Sequence, residues 1–194
     1  MTEPWYKLTP ATEGLTQGDI VLDCPLATWK SAPIAKKGIP EVEILSSAIE
    51  VVLADVVVLT QVCDLAQNKI DDVILCPHLR LDDYKGLWAV AKRAQDQKAT
   101  NRAWERNCED ICDGFIWNLS MLNSGEDGGL KTEHRVVDFH YVYTLPRAFL
   151  ESLIVQRGKP RLRLLPPYRE HLSQAFARYF MRVGLPENIK ATWK

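Results

Sequence analysis

Asp55-Val56-Val57-Val58-Leu59-Thr60-Gln61-Val62-Cys63-Asp64-Leu65 is the stretch on which the fold turns. Its unbroken apolar run, Val56 to Leu59, has the length of a strand and three β-branched residues, the pattern of a strand covered on both faces. The run stops at polar Thr60 and Gln61. A polar connection from Gln61 to Asp71 then leads to Val73-Ile74-Leu75-Cys76, a second buried strand closed by Pro77. Towards the amino terminus, Glu41-Val42-Glu43-Ile44 alternates as a half-buried strand does, and Ile49 to Leu53 continues the β-branched character. A loop is expected from Pro25 to Pro40, long enough to be functional or mobile. Before it, the turn Gly18-Asp19 feeds a strand Ile20-Val21-Leu22, ended by Cys24-Pro25.

Towards the carboxy terminus the period changes. Asp82 or Asp83 can cap a helical region that contains no proline until well past residue 112. Its polar middle, Lys92 to Arg106, reads as a solvated face laced with Asp96, Glu105 and Glu109. Phe115 to Leu122 and Val136 to Thr144 read as a strand and its return across the glycine-rich turn Asn123–Gly129. Pro146 opens a short helix that Gly158 ends, and Arg161-Leu162-Arg163-Leu164 alternates as a short strand. Pro166-Pro167 leads into a last helix from about Arg169 to Val183. At 100° per residue it gathers Leu172, Phe176, Tyr179, Phe180 and Val183 on one face, with His171, Gln174, Arg178 and Arg182 in a stripe beside it. These elements predict one α+β domain spanning residues 1–194. Its core would be an SH3-like, mostly antiparallel small barrel or curved sheet, with a helical insertion at about 83–112 and a packed carboxy-terminal amphipathic helix.

The chain has 194 residues, 46% hydrophobic and 25% charged, with a formal net charge of -1. No global field draws it to nucleic acid or an anionic membrane, so any basic surface must be local. No apolar run approaches the roughly 20 residues of a membrane span, and the first ten residues lack a secretory pattern. A cytoplasmic protein without a membrane partner is expected. Five cysteines, an odd number, argue against a disulfide framework.

Four constellations could carry chemistry. Thr60-Gln61-Val62-Cys63-Asp64 ends a buried strand, where polar groups are often displayed. Cys63 could act as a nucleophile, although the neighbouring Asp64 opposes thiolate formation; the alternative is a turn in which Asp64 caps local amides and Cys63 packs inward. His134, Asp138 and His140 share one face of the expected return strand, and Cys63, Asp64 and His134 are the candidate catalytic set. Cys76, His78, Cys108 and Cys112 offer four ligands, but without a Cys-x₂-Cys knuckle zinc is not expected, and no cofactor is assigned. Finally, Arg161, Arg163, Tyr168, Arg169, His171, Arg178 and Arg182 form an arginine-rich stripe suited to phosphates, carboxylates or stacked bases; the alternative, which the near-zero net charge equally favours, is internal pairing with the chain's own Asp and Glu residues. Thr60 and Gln61 join these as candidate binding residues.

Gly18-Asp19-Ile20-Val21, a long loop, and the runs at 56–59 and 73–76 together resemble the opening of the MazF/PemK-type toxins. That resemblance implies an SH3-like barrel and endoribonuclease activity. The toxin pattern places Arg-Pro before the second strand and Thr-Ser near the end of the third, where this chain has Ala54-Asp55 and Cys76-Pro77, so no catalytic residue is carried over. Thr60-Gln61-x-Cys63-Asp64-Leu65 and Pro167-Tyr168-Arg169-Glu170-His171-Leu172 resemble a set of uncharacterised bacterial proteins, which implies no activity. The functional expectation is an accessory or binding module of a bacterial toxin–antitoxin or defence system that contacts nucleic acid or a protein partner through the arginine stripe. The alternative is an enzyme, either a MazF/PemK-like endoribonuclease or a Cys63-dependent hydrolase.

Overall fold

A computed structural model describes residues 3–30 and 41–181. In chain order these form β1 (Tyr6–Thr9), β2 (Ile20–Trp29), α1 (Glu41–Ala48), β3 (Ile49–Val58), α2 (Val62–Ala66), β4 (Asp72–Arg80), α3 (Leu81–Ala94) and α4 (Asn101–Cys112). There follow β5 (Leu119–Leu122), β6 (Gly125–Asp127), β7 (Leu130–Thr132), β8 (Arg135–Asp138), β9 (Tyr143–Pro146), α5 (Arg147–Arg157), β10 (Arg161–Leu164) and α6 (Tyr168–Phe180). The architecture is α+β with antiparallel pairing throughout the described ladders.

The valine run of β3 is the centre. Val56, Val57 and Val58 are fully buried, and the period of a strand sends them to opposite sides. Val57 joins one core with Ile20, Leu59, Cys76, Val137 and Phe139. Val56 and Val58 join a second core with Val21, Leu26, Leu65, Val73 and Leu150. Each such side chain contributes about 1.5–3 kcal/mol by leaving water. The main sheet runs β2-β3-β4-β8-β5, with β9 also paired to β4.

A separate β1–β10 pair is joined to this sheet through Gly18. Its N–H donates to Val58 O at 2.8 Å, and its carbonyl accepts from Leu164 N at 2.9 Å. The left-handed φ of +85° there, and a position where a Cβ would sit 3.0 Å from Leu164 Cβ, require glycine. On the other side, the Tyr6 hydroxyl donates to Asn123 O and Leu8 N donates to Asp127 of the small β6–β7 hairpin. Among the described residues no sheet closes on itself.

Several sequence expectations are corrected. Residues 41–48 form a helix rather than a strand, because four alternating residues also fit one helical turn and its continuation. Cys24-Pro25 does not end β2, which continues to Trp29. Pro25 lies on an edge strand, where a missing N–H costs little. Residues 31–40 of the expected loop lie outside the described residues. Pro77 does not close β4 either. It pairs with Val56 of β3 on one side and, on the other, stands in the gap between the part of β4 paired to β9, up to Leu75, and the part paired to β8, from His78.

The connection after Gln61 contains α2. The insertion is two helices, interrupted at Asp96 (φ +55°) and restarted by Thr100, whose Oγ1 accepts from Ala103 N. Trp88 and Trp104 fasten α3 to α4 edge-to-face at 5.3 Å. The return strand is split: β8 and β9 lie end to end along β4, and the intervening segment dips into the core at fully buried Phe139. Pro146 and the left-handed Gly158 bound α5. α6 docks through Leu172, Phe176 and Tyr179, the last two against Phe139 at 5.6 and 6.3 Å. Phe180, expected on that face, is 58% exposed, and Val183 lies outside the described residues.

Candidate functional site

α4 ends at Cys112, and Gly114 (φ +73°) turns the chain into the segment that becomes β5. α6 runs alongside, with Trp5 at one end. Between them lies a groove of about 660 Å³. Ile111, Leu119, Leu122 and Leu172 form its floor, all buried members of the core. Its walls carry Trp5, Trp117, Tyr168, His134, His171, Gln174 and Arg178. Trp5 stacks on Tyr168 with ring centres 3.9 Å apart, and the Tyr168 hydroxyl donates to Glu3 O at 3.2 Å. Arg178 Nη2 donates to Gly114 O at 2.7 Å, and its guanidinium lies 5.4 Å from the Trp117 ring centre. Trp117 is 43% exposed. The left-handed φ of +73° requires glycine at 114, and a Cβ there, 2.7 Å from Arg178 Nη2, would also push the guanidinium tip aside.

The lining is nearly balanced in charge, with Arg178 opposed by Asp113. Cys112, on the rim, is held as a thiol: burial pushes its pKa up and Asp113 adds to the shift. Burial, with Cys112 beside it, does the same to Cys108 against the pull of Lys85. The groove can therefore offer apolar contact, aromatic faces, one guanidinium and two imidazoles.

Of the residues singled out in the sequence, His134, Tyr168, His171 and Arg178 meet in this groove. The hexapeptide ending in Leu65 does not. Thr60 is buried, and its Oγ1 accepts from Ile74 N at 2.7 Å, tying the end of β3 to β4. Gln61 precedes α2 without a side-chain capping bond. Cys63 is exposed, its sulfur 3.7 Å from an Asp64 oxygen. Leu65 packs inward and its carbonyl accepts from Arg147 Nη1. This hexapeptide adjoins Ile74 on β4, whereas His134 adjoins Leu81 just past the strand's other end, through the Leu81 N to His134 O bond. That separation is on the order of 20 Å along a strand. Cys63, Asp64 and His134 are thus not assembled.

His134, Asp138 and His140 do not share a strand face, because β8 stops at Asp138. His140 instead turns back, its N–H donating to Asp138 Oδ1 and its Nδ1 3.0 Å from the same oxygen.

The arginine stripe divides. Arg161 and Arg163 are each 6% exposed. Both reach fully buried Asp19; Arg161 also donates to the carbonyls of Pro10, Glu13 and Gly14, and Arg163 to Gly14 O and the Glu13 carboxylate. These two guanidinium groups are consumed inside the fold and do not belong to a surface stripe. Arg169 pairs with Glu170. Arg182 lies outside the described residues.

Cys76 and His78 are buried on β4, with His78 Nδ1 3.2 Å from Arg135 Nη1, while Cys108 and Cys112 lie on α4. Among the described residues no three His, Cys, Asp or Glu side chains converge on a metal position. No described helix is long and apolar enough to cross a membrane.

Sequence reasoning missed Trp5, Gly114 and Trp117. The one available signal is the aromatic-apolar string Phe115-Ile116-Trp117, which the sequence places in a strand from Phe115 to Leu122, whereas β5 begins only at Leu119. No protein-family model matches the chain, and comparison with the curated proteins gives no match.

Proposed function

We propose that this chain is a binding module of a bacterial multi-protein system, of the toxin–antitoxin or defence kind, and that it engages a protein partner through the groove between α4, β5 and α6. The observation that carries this reading is Arg178, laid against Trp117 and fastened to Gly114 O in a groove with an apolar floor and mixed walls. A guanidinium fixed in advance loses little freedom on meeting a carboxylate or carbonyl, while the floor accepts an apolar side chain. Single-stranded nucleic acid needs a cationic track along its backbone, and here one arginine is balanced by Asp113. That balance favours a protein over RNA or DNA. The arginine stripe contracts to Arg178, flanked by His171 and Tyr168. The same reading treats the arc of strands as an open form of an SH3-like barrel. Of the enzyme alternatives, a Cys63-dependent hydrolase lacks an assembled Cys63–His134 pair, and a MazF/PemK-like endoribonuclease has no catalytic residue assigned to it.

A photo-reactive residue in place of Gln174 tests the groove. The cross-linked partner peptide, identified by mass spectrometry, is synthesised and titrated into the protein. Arg178→Ala is expected to weaken it about tenfold. Equal binding to the variant removes the groove from the reading. Arg178-dependent binding of a random single-stranded RNA that falls steeply with salt would replace the protein partner by nucleic acid.

A further inference from the structure

A second cavity, of about 540 Å³, opens on another part of the molecule, between the start of β2, the β7–β8 connection and the end of α5. Its floor is apolar. Ile20, Val21, Ile154 and Leu162 are all buried core residues, and Leu130 and Pro160 extend the lining. That volume and composition suit a small-molecule site.

The polar side of the cavity is built with care. β2 carries a register shift between Val21 and Cys24, with Asp23 in the left-handed region at φ +49°. A bulge of this kind re-aims a strand and is common beside sites. The Asp23 N–H donates to Asp55 Oδ1 at 2.9 Å, and the other Asp55 oxygen accepts from Arg135 Nη1 at 2.6 Å. Arg135 Nε donates to Thr132 Oγ1, and Nη1 also faces His78 Nδ1. The Arg135 side chain lines the cavity and the residue is only 8% exposed, yet among the described residues nothing accepts from its Nη2. That edge is not sealed from solvent, so the cavity leaves a fixed, charged donor pair open to an entering acceptor.

At the rim, Arg157 is fixed by 2.6 Å bonds to the carbonyls of Leu22 and Asp23, and it has no carboxylate partner among the described residues. Lys159, just past Gly158, likewise has no ion pair there. Among the described residues the only carboxylate in the lining is that of Asp23.

We propose that this cavity binds a small amphipathic anion: an apolar body that lies on Ile20, Ile154 and Leu162, ending in a single carboxylate or phosphate that meets Arg135 Nη2 and the Arg157–Lys159 rim. The apolar contact supplies the bulk of the affinity and the fixed guanidinium edge selects the charge of the head group. The inference stands apart from the α4–α6 groove, and either can fail alone.

The test is isothermal titration of the full chain with decanoate, decyl phosphate, decanol and decylamine, all below their micelle concentrations. Both anions are expected to bind with one-to-one stoichiometry, and the alcohol and amine about tenfold or more weaker. Whichever anion binds tighter names the head group, phosphate or carboxylate, within the proposal. Leu130→Trp, which fills the cavity from a half-exposed position, is expected to abolish binding with thermal melting unchanged. Lys159→Glu, an exposed change that leaves the Arg135 cluster intact, is expected to weaken it several-fold. Binding of decanol and decylamine as tightly as the anions, no anion binding at all, or full binding to Leu130→Trp would each overturn the proposal.

Discussion

Arg161 and Arg163 on β10 and Arg178 on α6 carry the same side chain and lie close together in sequence, yet they end in opposite environments. On β10 the alternation Arg-Leu-Arg-Leu reads as one buried face and one wet face, and all four residues are buried. The supposedly wet face is roofed by residues 10–19, which bring Asp19 and a row of backbone carbonyls onto the two guanidinium groups. On α6, Arg178 meets a carbonyl and an indole face at the edge of a groove. What separates the two is the arrival of a distant carboxylate. Arginine is framework where buried acid and carbonyls converge on it, and it is a surface tool where they do not.

The widest gap between the regions should appear when Asp19 is removed. Asp19→Ala leaves Arg161 with carbonyl acceptors and no carboxylate, and Arg163 with Glu13 alone, and breaking a buried pair of this kind costs about 3–5 kcal/mol. Urea unfolding is expected to show that loss as a lower midpoint with little change in slope. The comparison sharpens if Asp19, Arg161 and Arg163 are all replaced by apolar residues of similar volume. Most of the stability is then expected to return, because the cost lies in the unpaired charge. An Asp19→Ala protein as stable as the wild type would show that the β10 arginines are not framework.

Arg135 offers a second buried guanidinium and a pH-dependent test of the same idea. Burial first, and the charge of Arg135 second, push the His78 pKa down from 6.5 to about 3, with Asp55 pulling the other way. The folded chain therefore holds His78 neutral while the unfolded chain lets it ionise near 6.5. Its contribution is complete above that pH and is lost as the pH falls from about 6.5 towards 3, by at most about 1.4 kcal/mol per pH unit. Unfolding free energies at pH 7 and pH 5 are expected to differ less for His78→Gln than for the wild type. Equal differences would place the titration elsewhere.

These contrasts also mark how far the residues speak for themselves. The runs at 56–59 and 73–76 were legible because a strand buried on both faces leaves no polar position to confuse its period. α5 was legible from Pro146 and Gly158, and the docked face of α6 from Leu172, Phe176 and Tyr179. Glu41 to Ile44 misled because four residues of alternation are too few to separate the two periods. Pro25 and Pro77 misled because a proline breaks a strand only where its N–H was needed, and that depends on neighbours the sequence does not name. The groove was half legible. His171, Gln174 and Arg178 follow from the stripe beside the apolar face of α6 and Tyr168 from the arginine-rich stretch, whereas Trp5 and Trp117 reach it by tertiary packing alone. The Asp19 and Asp55 networks were invisible for the same reason, since each joins residues dozens of positions apart.

The smallest effect on stability is expected at Arg178, and its smallness is the point. Its contacts are one hydrogen bond to Gly114 O and a partly exposed cation–π contact worth about 0.5–1 kcal/mol. Arg178→Ala should therefore cost no more than about 1 kcal/mol in urea unfolding, several-fold less than Asp19→Ala. A side chain that contributes so little to the fold, yet is held against a half-exposed indole on the wall of a groove, is positioned for something other than stability. If Arg178→Ala instead destabilises the protein as much as Asp19→Ala does, then α6 depends on this guanidinium as β10 depends on its own. The distinction between framework and surface arginine would then collapse, and with it the reason for placing a partner in the groove.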